Sequence, residues 1–201
     1  MEPVMRINRF VSFVPALAGA AVCMMMFQPV WGAGTQEPDS LMARARLLFY
    51  DSVEHRESIE KAVTLFEQIG RDETKKGVTL TYIGALEALK GKYGFFPMAK
   101  FSHVKEGLKI MDRGILESPL NIESRFIRGM TCHYLPFFFN RKDTAAEDFF
   151  MVIQRLPLDY KDYDRSLVKN ITGFLLENID MTDDERDTVT RINQEVSADE
   201  G

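Results

Sequence analysis

With 201 residues, 45% of them hydrophobic and 27% charged, the chain has enough apolar content to bury the core of one domain. A formal net charge of −5, with both signs interleaved, excludes the clustered Lys/Arg surface of a nucleic-acid binder. Cys23 and Cys132 are the two cysteines, which excludes a disulfide-rich scaffold.

Residues 1–34 read as a targeting segment. Arg6 and Arg9 precede Phe10–Phe27, an 18-residue run without charge, and the small residues of VWGAG follow. A cut after Gly32 fits this pattern and implies export to the periplasm or beyond. The run also reaches the lower limit for spanning a bilayer, so a membrane anchor through residues 10–27 is the alternative. Cys23 follows Val22, where an acylation signal wants Gly, Ala or Ser, and it reads as an apolar residue of the signal core rather than a lipidated one.

Residues 35–39 form a short polar linker, and Asp39 or Ser40 is placed to cap a first helix over Leu41–Asp51, with Leu41, Ala45 and Leu48 on one face. A second runs over Glu57–Ile69, with Ile59, Ala62, Val63, Phe66 and Ile69 on one stripe and Gly70 at the C-cap position. The third, Gly77–Tyr93, carries Leu80, Ile83, Ala85, Leu86 and Leu89 and ends in KYGFFP. Met98–Leu116 is the fourth, stopped by Pro119. Asn121 caps the fifth, Ile122–Leu135, and Pro136 then introduces Phe137–Phe139. The sixth, Thr144–Leu156, opens on the capping box Thr144-x-x-Glu147 and stops before Pro157. A seventh spans Asp164–Asn178. The eighth, Asp183–Val196, opens on a second box, Thr182-x-x-Glu185, and is the most polar of the set. No stretch alternates as a strand does. The expected fold is all-α, seven to eight helices over residues 40–197, with 198–201 as a tail.

Small and large residues recur at matching intervals along these helices. Ala145, Phe149, Val152 and Pro157 repeat as Gly107, Met111, Gly114 and Pro119, and again as Ala62, Phe66 and Ile69, with Thr74 at the proline place. Gly129 follows Pro119, and Gly84 follows Thr74, by ten residues each. This pattern resembles the tetratricopeptide (TPR) repeats, helical hairpins of about 34 residues. The resemblance implies a TPR-like α-solenoid of stacked hairpins. These copies lack the Trp and Tyr of the family's first helices, and two of their turns are stretched. Those turns hold Phe95–Phe96–Pro97 and Pro136–Phe137–Phe138–Phe139.

The resemblance further implies a peptide-binding inner face on the first helices. Its lining here would be Arg44, Leu47 and Asp51, then Val78, Thr81 and Ala85, then Glu123, Phe126, Met130 and His133. Arg44 alone does not make a carboxylate clamp, so a mixed apolar groove fits better. The alternative for these residues is packing within a tightly wound array. Phe137 and Phe138, with the other aromatic turn, are candidates for a partner surface, against the alternative that they cover a hydrophobic edge.

His55, His103 and His133 do not pair at the i, i+4 spacing of a helical metal site. Cys132 lacks the surroundings of a nucleophile, and pairs such as Asp183–Asp184 suit helix N-termini. No metal, nucleotide cofactor or catalytic group is therefore expected. The expectation is a non-catalytic interaction or assembly adaptor of the cell envelope with a protein or peptide partner. Under the anchor alternative, the N-terminal segment would add membrane association. A small-molecule-binding accessory component of a solute transporter is the alternative.

Overall fold

The computed structural model describes residues 40–198. Among them the fold is all-helical, with α1 Leu41–Asp51, α2 Glu57–Ile69, α3 Lys76–Tyr93, α4 Pro97–Glu117, α5 Ile122–Tyr134, α6 Lys142–Asp159, α7 Arg165–Asn178 and α8 Asp183–Ala198. Short 3-10 turns occupy Glu73–Lys75, Phe137–Phe139 and Tyr160–Asp162. The expectations for the targeting segment, the linker and Cys23 fall on residues outside this range. No helix among the described residues is long and apolar enough to cross a membrane.

Consecutive helices pair most extensively as α1/α2, α3/α4, α5/α6 and α7/α8, and each pair packs on the next. The centre of the molecule is α3, which touches α2, α4 and α5 and carries Val78, Tyr82, Ala85, Leu86 and Leu89 into the core. Tyr82 is fully buried, its ring stacked on Phe66 of α2 at 4.4 Å and meeting Phe49 of α1 edge-on at 4.9 Å. Burying an aromatic side chain of this size contributes about 2 kcal/mol or more.

The α3/α4 pair is held by glycines spaced seven residues apart. Gly77, Gly84 and Gly91 of α3 face Gly114, Gly107 and Lys100 of α4 in antiparallel register. A Cβ on Gly84 would stand 2.7 Å from the Gly107 carbonyl oxygen and 2.7 Å from the Met111 nitrogen. Only glycine lets the two backbones approach this closely. At Gly70 a side chain is the obstacle: its φ is −69°, an ordinary right-handed value, but a Cβ would meet the Thr79 hydroxyl at 2.7 Å.

Local signals set several boundaries. Ser40 accepts from the Ala43 N–H at 3.1 Å, Asn121 from the Ser124 N–H at 2.8 Å, and Thr182 and Glu185 close a reciprocal box at 3.3 and 3.0 Å. The box expected at Thr144 is not made. Helix α6 starts two residues earlier, at Lys142, which puts Thr144 inside its first turn, and Arg141 at the N-cap makes no side-chain cap. Nor does α6 stop before Pro157. It runs to Asp159, because a proline in the last turn forfeits one backbone hydrogen bond there and Arg155 bridges to Asp159 at 2.7 Å. At the C-terminus, α8 extends through Ser197 and Ala198, past the expected end at Val196.

Candidate functional site

Where α1, α3 and α5 carry the residues expected to line a peptide groove, the protein's own side chains meet. Arg46 of α1 grips both oxygens of Glu123 of α5 at 2.6 and 2.8 Å and also pairs with Asp164, just before α7. The Tyr82 hydroxyl donates to the same Glu123 at 2.7 Å. Burial works against the Arg46 charge, but its bonds to Glu123 hold the guanidinium pKa above its usual value. Burial first, then the nearby carboxylate of Glu123, pushes the Tyr82 phenol well up. This charge cluster ties α1, α3 and α5 to one another.

The residues expected on that face divide accordingly. Phe126 and Met130 are buried, with the Phe126 ring against Phe174 at 5.4 Å. Val78 and Ala85 are buried too. Thr81 is fully buried and donates to the Gly77 carbonyl at 2.9 Å. His133 is half-buried among Tyr134, Phe149 and Phe174, and burial, then Lys142, lowers its pKa. Leu47 is half-buried and Arg44 exposed. Asp51 is exposed and held by Ser58 and His55 at the α1–α2 turn. Its carboxyl lies below the usual range, chiefly through the Ser58 hydroxyl.

What the structure does bring together is the two aromatic turns. Pro97 opens α4 at its first position, and Phe101, one turn on, stacks on Phe139 at 5.2 Å. The Phe137–Phe139 turn is closed by Asn140 in the left-handed conformation, φ 53°, which asparagine tolerates better than most residues. Phe139 and Phe101 face each other, while Phe95 and Phe137 remain 88% and 85% exposed and Phe138 about half exposed. Phe96 and Met98 are exposed beside them.

Between these turns lies a cavity of about 430 Å³. Its floor is Ala85, Ala88 and Gly91 of α3. Its walls come from Val104 and Phe101 of α4, Thr131 and Leu135 of α5, and Phe138 and Phe139 of the turn. The polar groups on its lining are few: Lys92 and Lys100, the Thr131 hydroxyl, which donates to the Ile127 carbonyl at 2.8 Å, and Tyr134. Lys92 donates to the Val53 carbonyl at 2.5 Å and lies 3.9 Å from Glu54. The Lys100 stem lies over Gly94, whose added Cβ would meet its Cγ at 3.2 Å. Lys105 sits over the Phe101 ring at 5.4 Å.

Sequence reasoning singled out Phe137, Phe138 and Ala85 but not Ala88, Gly91 or the lysines of the cavity. A charge signal was present. Residues 88–105 and 124–142 contain eight Lys and Arg and no Asp or Glu, in a chain whose net charge is −5. Of these cations Lys90, Arg125, Arg128 and Arg141 are bound to carboxylates of neighbouring segments.

Groups suited to chemistry are dispersed. His103 pairs with Glu87 at 2.7 Å on a half-buried surface, and His55 with Asp51 at 2.9 Å on an exposed one. Burial pushes the Cys132 thiol up to about 12, an unreactive state. Among the described residues, no three His, Cys, Asp or Glu side chains gather where a metal ion would be held. Compared with known proteins, the chain matches no family model, no curated protein and no solved structure.

Proposed function

We propose that the chain is a TPR-like array of stacked hairpins that serves as a non-catalytic interaction or assembly adaptor of the cell envelope. The repeat reading is supported by small-against-large contacts at the expected places. A Cβ on Gly84 would stand 2.7 Å from the Met111 side chain, and one on Gly129 would stand 3.1 Å from the Phe149 ring. The envelope reading rests on the charged-then-apolar pattern of Arg6, Arg9 and Phe10–Phe27.

One observation carries the functional conclusion: large aromatic side chains stand uncovered around an apolar cavity, while the inner face is filled. Such a rim, with a pocket beside it, anchors the apolar element of a partner. A photo-crosslinking residue at Phe137 of the full chain in cells should capture a defined partner, and one at Arg44 should not. Capture at position 44 alone would move the working surface back to the inner face and overturn this assignment. The cavity also favours the second reading, a small-molecule-binding component, because it is large enough to enclose a ligand.

A further inference from the structure

The geometry points to a ligand class for this cavity: a single-chain amphiphile with an anionic head group, its acyl chain on the Ala85–Ala88–Gly91 floor and its head at Lys100 and Lys92. The inference rests on the reading of the pocket as the working site.

The lining itself argues for this class. Its walls are helices and a 3-10 turn, with no strand among the described residues, so an extended peptide finds no sheet edge to pair with. Peptide groups buried against Val104, Leu135 and Phe139 would lose their water without gaining partners, at a cost of roughly 1–3 kcal/mol each. A partner helix is about 10 Å across, too wide for the cavity to take in more than its side chains. A hydrocarbon chain needs no polar partner along its length and gains from every apolar atom it covers. From Ala85 to Lys92 the floor runs about 10 Å along α3, and the volume of about 430 Å³ has room for a medium acyl chain bent within it.

Charge fixes the head group. Among the described residues, Lys100 has no carboxylate in ion-pair contact, and Lys92, which donates to the Val53 carbonyl, has Glu54 at the 3.9 Å limit. Both lie on stretches without an acidic residue, in an acidic protein. An anion there meets local attraction, whereas a cationic head would not.

The test is titration of the full chain with laurate below its micellar concentration, followed by calorimetry and thermal unfolding. Dodecanol is the neutral control, and phosphatidylglycerol vesicles are a separate arm. Wild type should bind laurate saturably, one per chain, and unfold at higher temperature with it. Lys100→Glu should weaken laurate roughly tenfold and leave dodecanol nearly unchanged. Ala85→Leu, which fills the floor, should abolish binding. If that variant loses cooperative unfolding, Lys100→Glu decides alone.

Laurate binding that neither variant alters would place the site elsewhere and overturn the inference. So would vesicle binding without saturable laurate binding, which would make the Phe rim a membrane contact. Absence of both overturns it as well. If laurate fails while crosslinking at Phe137 succeeds, only the ligand class falls; if both fail, the pocket is not the working site.

Discussion

The glycine contact between α3 and α4 gives the sharpest quantitative test of the fold. Alanine at Gly84 would place its Cβ 2.7 Å from both the Gly107 oxygen and the Met111 nitrogen. Both are backbone atoms of a helix and cannot rotate away, so the helices must separate by several tenths of an ångström along their most extensive contact. Overpacking of this kind costs about 1–3 kcal/mol, and backbone-on-backbone contact belongs at the upper end. Replacing a mid-helix glycine returns about 1 kcal/mol through propensity. Gly84→Ala should therefore lose about 2 kcal/mol. Gly173 in α7 is the control, because a Cβ there meets nothing within 4 Å. Gly173→Ala keeps the propensity gain alone and should add about 0.5–1 kcal/mol. Urea unfolding followed by circular dichroism would read the difference, and Tm should fall by about 4–8 °C in the first variant and rise by a few degrees in the second. A Gly84→Ala protein as stable as wild type would refute the close backbone approach.

Two further outcomes follow from buried charge. Asp148 is fully buried and binds Arg128 at 2.7 and 2.8 Å and Arg125 at 2.8 Å. Asp148→Asn should cost about 3 kcal/mol, the low end for breaking a buried pair, because Asp112 and Glu147 still reach the two arginines. A loss below about 1 kcal/mol in urea unfolding would mean that the network adds little. His133 has a folded pKa lowered by burial, so above about 6.5, the unfolded value, its contribution to stability is fully present. That contribution is lost as pH falls through the depressed folded pKa, because there the unfolded chain binds the proton more readily. Wild type should lose more stability than His133→Gln between pH 8 and pH 5, and equal losses would show that His133 titrates normally.

Local chemistry was the legible part of the fold. Asn121, Ser40 and the Thr182–Glu185 box act within one turn, so their residues announce the helix start. Thr144–Glu147 has the same lettering, yet the chain enters α6 at Lys142, where the Phe137–Phe139 turn and Asn140 deliver it. Core membership was legible on α2, whose Ile59, Ala62 and Phe66 form one stripe. It was poorly legible on α3, because a helix packed on several sides has no single stripe. The expected Leu80 and Ile83 are half-buried there, while Tyr82, outside the expected stripe, is fully buried. On α1 the stripe pointed to Leu41 and Leu48, but Phe49 and Tyr50 enter the core instead. The aromatic turns stood out by composition. That they meet depends on the register of α4 against α5, which no local signal encodes.

The two structural themes are connected. The seven-residue glycine spacing draws α3 and α4 into contact as far as Gly91 and Lys100, where the KYGFFP turn begins. The small residues Ala85, Ala88 and Gly91 line a space that Thr131 and Leu135 of α5 and the phenylalanines of the longer turns wall in. The floor of the cavity is thus part of the most tightly packed element, and its rim is built from two surface turns. A site of this construction separates stability from binding. Changes at Phe137, Phe95 or Lys100 act on a surface with few core contacts and should alter capture or ligand affinity while leaving unfolding nearly unchanged. Changes along the glycine seam shift the floor itself and should alter both together. That contrast distinguishes a preorganised pocket from an accidental gap between helices, because a gap would have no reason to couple its occupancy to the α3/α4 seam.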